Sequence, residues 1–149
     1  MELKNRKNPR LKEFDYASPN YYFITICTHD KKKLFGESGK QNTLGKIADE
    51  AVSQISKHFS NVTVDKYVIM PNHVHMIVIL HGDTSNLSSI IGSYKSFVTK
   101  EIHSKGSTQK IWQISFYDHV IRNRESYLKI WNYIDTNPIK WSEDCFFEE

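Results

Sequence analysis

Two histidines that lie two residues apart, His73 and His75, are the first residues in this sequence whose spacing suggests chemistry. In a β-strand, residues two apart point to the same face at about 6.5 Å, so two imidazoles can converge on one ion. Ile77 and Ile79 continue that face, so the histidines interrupt an otherwise apolar strand. Burying unpartnered imidazoles costs free energy. The pattern therefore favours a metal site or a wet cleft over ordinary polar residues at a strand start.

A second pair, Tyr133 and Asn137, lies four residues apart, the spacing of neighbours on one side of a helix. The face of this helix toward the core is marked by Tyr127, Trp131 and Ile134. Tyr133 and Asn137 then project from the flank, where they can face a site at the sheet edge. The helix by itself favours a half-buried aromatic residue followed by an asparagine C-cap before Pro138.

Hydrophobic periodicity assigns both pairs to secondary-structure elements. Alternating or continuous apolar runs predict four strands, over Tyr21–Thr28, Val62–Met70, His73–Leu80 and Trp112–Ile121. Apolar residues at helical spacing predict three helices, over Thr43–Phe59, Leu87–Ile102 and Arg124–Thr136. Asn42 or Thr43 is available as the N-cap of the first helix. The histidine pair thus begins the third strand, and the tyrosine pair ends the last helix.

The order of these elements predicts the fold class. Only Pro71 and Asn72 separate the second and third strands, so these strands form an antiparallel hairpin. The order β-α-β-β-α-β, with an added C-terminal helix carrying Tyr133, suggests a ferredoxin-like α+β fold. We expect a four-stranded antiparallel sheet with helices packed on one face, in a single domain over residues 1–149. Residues 1–19 form a basic N-terminal arm that either contacts phosphates or is a solvated tail.

Composition restricts the protein class only loosely. The 149 residues include 39% apolar residues, enough for a packed core, and carry a net charge of +3. This charge permits a polyanionic partner without requiring one. The basic N-terminus lacks the apolar segment of a signal peptide, and no apolar run is long enough to span a membrane. Cys27 and Cys145 match neither a metal motif nor a disulfide framework, which favours a reducing cytoplasm.

Five separated stretches resemble a known family. They are Tyr67–Ile77 (YVIMPNHVHMI), Gly92–Phe97 (GSYKSF), Trp112-Gln113, Phe116–Arg122 (FYDHVIR) and Tyr133–Pro138 (YIDTNP). In this order they resemble REP-associated tyrosine transposases and their insertion-sequence relatives, the single-tyrosine transposases with a His-hydrophobe-His (HUH) motif. The resemblance extends from about Asn20 to Trp141. Ile114 departs from it, because many relatives carry a basic residue there.

The resemblance implies a metal-dependent endonuclease and strand transferase that recognises hairpins in single-stranded DNA. Tyr133 would be the catalytic nucleophile and would form a 5′-phosphotyrosine intermediate. Mg²⁺ or Mn²⁺ would be held by His73, His75 and Asn137. The protein would act in the cytoplasm with the nucleoid, as a monomer or homodimer. Candidate DNA contacts are Lys95, Lys100, Arg122 and Arg124, with Trp112, Phe116 or Tyr117 stacking on unpaired bases.

Two other functions stay open on the sequence. One is a non-catalytic protein that binds hairpin or single-stranded DNA and derives from a transposase. The other is a small-molecule metalloenzyme with an iron or zinc site. Such a site would take a carboxylate as third ligand, for which Asp65, Asp118 and Asp135 are available.

Overall fold

The computed structural model describes residues 19–37, 39–82 and 86–137, which include six strands and three α-helices. The strands are β1 (Pro19–Cys27), β2 (Gly36–Glu37), β3 (Lys40–Gln41), β4 (Val62–Met70), β5 (His73–His81) and β6 (Tyr117–Ile121). The helices are α1 (Thr43–His58), α2 (Leu87–His103) and α3 (Arg124–Thr136). The predicted basic arm up to residue 18, Pro138 and Cys145 lie outside the described residues. No helix of the described part is long and apolar enough to cross a membrane.

The main sheet has the strand order β4-β5-β1-β6, and all neighbouring strands are antiparallel. Together with the crossover helices α1 and α2, this order confirms the predicted ferredoxin-like α+β fold. The predicted hairpin at Pro71 and Asn72 joins β4 to β5. A short hairpin, β2 and β3, precedes α1 and was absent from the sequence-based prediction.

Helices cover both faces of the sheet, whereas the sequence predicted helices on one face. Helices α1 and α2 bury the face that includes Ile24, Val74 and Met76. Helix α3 packs on β4 and β5 from the other side, around Ile77 and Ile134. The physical reason is that β5 is apolar on both faces beyond the histidines, so each face needs cover from water. Tyr133 and Asn137 therefore belong to a helix that lies over the sheet.

An asparagine is the N-cap of each of the three helices. The side chains of Asn42, Asn86 and Asn123 each accept a hydrogen bond of 2.8 Å from the backbone N–H three residues later. Asparagine at this position satisfies one of the N–H groups that a helix start leaves without a partner. Of the two N-caps considered for the first helix, Asn42 is therefore the one used.

The fourth strand is shorter than predicted. It comprises only Tyr117–Ile121, and Trp112 makes an isolated bridge with Thr28. The Lys95 ammonium donates hydrogen bonds to the carbonyl oxygens of Gln113 (2.8 Å) and Ile114 (3.2 Å). These bonds engage carbonyl groups that a regular strand would use for pairing, and the chain bends at residues 114 and 115.

Candidate metal and tyrosine site

The two histidines lie side by side on the sheet face that α3 covers. Their side chains are fully buried, and their ring centroids are 4.5 Å apart. On the neighbouring strand β1, His73 is opposite Cys27 and His75 is opposite Thr25. The alternation of β5 thus brings both imidazoles to one place, as the sequence spacing predicted.

Hydrogen bonds hold both imidazoles in defined orientations. His73 Nδ1 lies 2.7 Å from the side-chain oxygen of Asn72. Because an amide oxygen only accepts, Nδ1 carries the proton and the lone pair is on Nε2. His75 Nδ1 is 3.0 Å from the Thr25 hydroxyl, which permits the same tautomer when the hydroxyl accepts. Histidine ligands of metals commonly donate their second N–H to such a partner.

Tyr133 lies against the second histidine. Its ring centroid is 5.3 Å from that of His75 and 6.1 Å from that of Phe23, which it meets edge to face. The next residue, Ile134, is 1% exposed and anchors α3 on the sheet. Tyr133 is half-buried, as predicted by the alternative in which it is only an aromatic residue on the flank of the helix. Its position beside His75 goes beyond that interpretation.

Asn137 closes α3 at the end nearer the histidines. Toward its start the helix contacts Tyr21, which pairs with Ile79, and Tyr133 contacts His75, so the helix runs toward the His73 end of β5. Asn137 comes one turn later. It is the C-cap, and its side chain is only 2% exposed. Neither polar atom of that amide makes a hydrogen bond within the described part of the chain.

The unsatisfied Asn137 amide indicates whether His73, His75 and Asn137 fit a metal ion. A buried amide without a partner costs free energy, and a cation bound to its oxygen would offset that cost. Two imidazole nitrogens and one amide oxygen make a neutral donor set. Imidazoles suit zinc, copper, iron and nickel, whereas carbonyl oxygens and water suit Mg²⁺ and Mn²⁺. The residues therefore fit a divalent cation.

None of the three candidate carboxylates completes this site. Within the residues that the structure describes, no three His, Cys, Asp or Glu side chains form a potential metal-binding group. Asp65 accepts a hydrogen bond from Tyr127, and Asp135 is paired with Lys66 at 2.8 Å. Asp118 is opposite Ile24 on the sheet face that α1 and α2 cover. In the part of the chain that the structure describes, the carboxylate expected of the small-molecule metalloenzyme is therefore not found beside the histidines.

The four cations predicted to contact DNA lie in two separate places. Lys95 and Lys100 line a groove of about 410 Å³ between α2 and residues 110–113. Burial lowers the pKa of Lys95, whose ammonium donates to two carbonyl groups. Arg122 and Arg124 are exposed where β6 joins α3, toward the other end of the sheet. DNA binding by these four residues stays a prediction.

The three aromatic residues considered for base stacking differ in exposure. Trp112 is 6% exposed, packs on Phe35 and Tyr94, and donates its indole N–H to the backbone oxygen of Lys95. Phe116 is partly buried against the same core. Tyr117 is 48% exposed on β6, opposite Thr25. Only Tyr117 presents much of its ring to solvent.

The two residues that orient the imidazoles, Thr25 and Asn72, were not predicted from the sequence. Thr25 lies on the same face of β1 as Phe23 and Cys27, a placement that strand alternation could have revealed. Asn72 was interpreted only as a turn residue. Its position directly before His73 was the available signal, since a short amide side chain there can reach the next imidazole.

Comparison with known proteins identifies the family. The family described as "Transposase IS200 like" matches residues 17–137. The chain belongs to this family. It is 33% identical to an uncharacterized protein of Haemophilus influenzae, over 97% of this chain and 94% of the relative. It is also 34% identical to the REP-associated tyrosine transposase of Escherichia coli, over 52% of this chain and 44% of that protein.

A solved structure supports the same assignment. The structure of a REP-associated tyrosine transposase bound to a REP hairpin superposes with a TM-score of 0.67 at 25% identity. The match covers 86% of this chain and 72% of the other. The predicted resemblance to REP-associated tyrosine transposases is thus confirmed, and family membership supports a transposase role.

Proposed function

We propose that this IS200-like transposase is a metal-dependent endonuclease and strand transferase for single-stranded DNA. It recognises a hairpin and cleaves nearby, with Tyr133 as nucleophile. The observation that carries the proposal is the contact of the Tyr133 ring with His75, which lies beside His73. One helical turn after Tyr133, the buried Asn137 amide lacks hydrogen bonds within the described residues. Hairpin recognition is supported by the solved relative, which was captured with a REP hairpin.

Tyr133 supplies the attacking oxygen. A phenol has an ordinary pKa near 10 and is a weak nucleophile at neutral pH, so its negative charge must be stabilised as it attacks phosphorus. His73, His75 and Asn137 would hold Mg²⁺ or Mn²⁺ through Nε2, Nε2 and the amide oxygen. When bound, the ion supplies positive charge to a non-bridging phosphate oxygen.

The reaction conserves phosphate ester bonds. The Tyr133 oxygen forms a bond to phosphorus as the bond from phosphorus to the 3′ oxygen breaks. The phenol proton is lost and the leaving 3′ oxygen gains one, which produces a 5′-phosphotyrosine and a free 3′-hydroxyl. Attack by a 3′-hydroxyl on this intermediate reverses the step and joins strands, so no nucleotide is consumed.

The test is covalent capture of DNA. The native chain, incubated with Mn²⁺ and a single-stranded oligonucleotide carrying a REP hairpin, is expected to form an adduct that survives denaturing electrophoresis. Tyr133→Phe is expected to form none, because phenylalanine has no attacking oxygen. Tyr127→Phe is the matched control, since this tyrosine is on the same helix but is hydrogen-bonded to Asp65.

An adduct from Tyr133→Phe would show that the nucleophile is another residue. Hairpin binding without an adduct in any divalent metal would favour the alternative, a non-catalytic DNA-binding protein derived from a transposase.

A further inference from the structure

A short turn with three successive lysines lies beside the strand hairpin that carries the histidines. This basic turn, residues 29–33, follows β1 and contains Lys31, Lys32 and Lys33. In the sequence, this charged run marks only the end of the first strand. In the structure, hydrogen bonds connect it with the proposed metal site.

Asn72 makes the connection. Its side-chain nitrogen donates to the backbone oxygen of Lys31 at 3.3 Å, while its side-chain oxygen accepts from His73 Nδ1 at 2.7 Å. Asn72 is 1% exposed, so both bonds are shielded from water. One amide group therefore joins the backbone of the basic turn to an imidazole of the proposed metal site.

The basic turn is held in an uncommon backbone conformation. Asp30 and Lys31 have φ values of 56° and 54°, in the left-handed region that non-glycine residues seldom adopt. Such conformations persist where surrounding bonds determine them. Here the Thr28 hydroxyl donates to the backbone oxygen of Lys32 at 2.7 Å, and the Thr28 N–H donates to the backbone oxygen of Asn72 at 3.0 Å. The turn is thus fixed against the hairpin.

The charge of the turn remains available to an anion. The adjacent carboxylate, Asp30, lies 3.4 Å from His29 Nε2. Within the described residues, no carboxylate pairs with Lys31 or Lys32. Two ammonium groups on a fixed backbone next to the proposed metal site are suited to phosphates, which dominate the affinity of proteins for DNA.

We propose that the basic turn is a phosphate clamp that holds the DNA backbone beside the phosphate to be cleaved. The clamp rests on the proposed function, in that it assumes DNA as the substrate. Every nucleotide carries a phosphate, so a strand positioned at the histidines presents further phosphates to neighbouring cations. Lys31 and Lys32 would bind them without reading the bases.

The test measures binding in the absence of chemistry. Tyr133→Phe protein in EDTA is titrated with fluorescent oligothymidine at several salt concentrations, in forms with and without Lys31→Gln/Lys32→Gln. Each lost contact with a single strand is expected to reduce the slope of log affinity against log salt by about 0.7. The double variant should therefore bind more weakly and with a slope shallower by about 1.4.

A second double variant, Lys46→Gln/Lys57→Gln, removes the same charge from α1, on the other side of the sheet. It should keep the parent slope. Equal slopes for the two double variants would overturn the clamp, whatever the outcome of adduct formation. A native chain that forms no adduct would instead overturn the proposed nuclease function and leave this binding result intact.

Discussion

At the scale of the residue, Asn137 is the clearest indication of a ligand. A helix C-cap needs only the backbone and commonly faces solvent, yet this side chain is buried and both its polar atoms lack hydrogen bonds within the described residues. An unsatisfied buried amide costs about 1 to 3 kcal/mol. This destabilising amide lies one helical turn beyond Tyr133.

The first residue-scale prediction is therefore that Asn137→Leu stabilises the metal-free protein or leaves its stability unchanged. The leucine removes a buried polar group without leaving a large cavity. The same variant should lose the rise in Tm that Mn²⁺ causes in the native chain, because an ion stabilises a fold only by binding it. Thermal melts with Mn²⁺ and with EDTA measure both effects. A Tm rise of native size in Asn137→Leu would remove Asn137 from the ligand set.

At the scale of the element, α3 is attached to the sheet by polar as well as apolar contacts. The hydroxyl of Tyr127 donates to Asp65 on β4. Lys66 pairs with Asp135 at 2.8 Å and also lies over the ring of Trp131. These contacts lie along the length of the helix. The pair of Lys66 with Asp135 holds the end of α3 that carries Tyr133 and Asn137.

The hydrogen bond to Asp65 raises the pKa of Tyr127 to about 12, with burial and the Asp65 charge as smaller causes. A folded-state pKa above the usual 10 means that the bond stabilises the fold below pH 10 and that this contribution is lost as pH rises toward 12. Tyr127→Phe should thus be less stable than the native chain at neutral pH. Urea denaturation of both proteins across the alkaline range should show the difference shrinking. A constant difference would contradict this origin of the stabilisation.

At the scale of the whole molecule, the proposed metal ligands come from two separate elements. His73 and His75 lie on β5, within the central sheet, while Asn137 ends α3. An ion bound by all three residues would join the last turn of the helix to the sheet. It would thereby hold Tyr133 beside β5, although α2 and β6 lie between β5 and α3 in the sequence.

We expect Mn²⁺ to slow amide hydrogen exchange in the last turn of α3, because the ion adds a link that local opening must break. Exchange in α1, on the opposite face, should be nearly unchanged. Mass spectrometry of peptides covering residues 133–137 measures the effect, and Asn137→Leu should abolish it. Equal protection of the variant would mean that the ion acts through other residues.

The sequence alone determined the parts of this protein that depend on local spacing. The period of two brought His73 and His75 to one face, the period near 3.6 put Tyr133 and Asn137 on neighbouring turns, and Pro71-Asn72 left room only for a hairpin. These features follow from backbone geometry, which the residues carry with them. The order of the separated motifs also indicated the family.

Only the tertiary structure decided which separated residues meet. It placed α3 over the sheet face, shortened the fourth strand through the Lys95 hydrogen bonds, and joined Asn72 to both His73 and Lys31. Such contacts depend on packing between elements far apart in the chain, and no local period encodes them. The candidate catalytic and metal-binding residues could therefore be predicted from the sequence. The residues that contact them, and the sheet face on which α3 packs, could not.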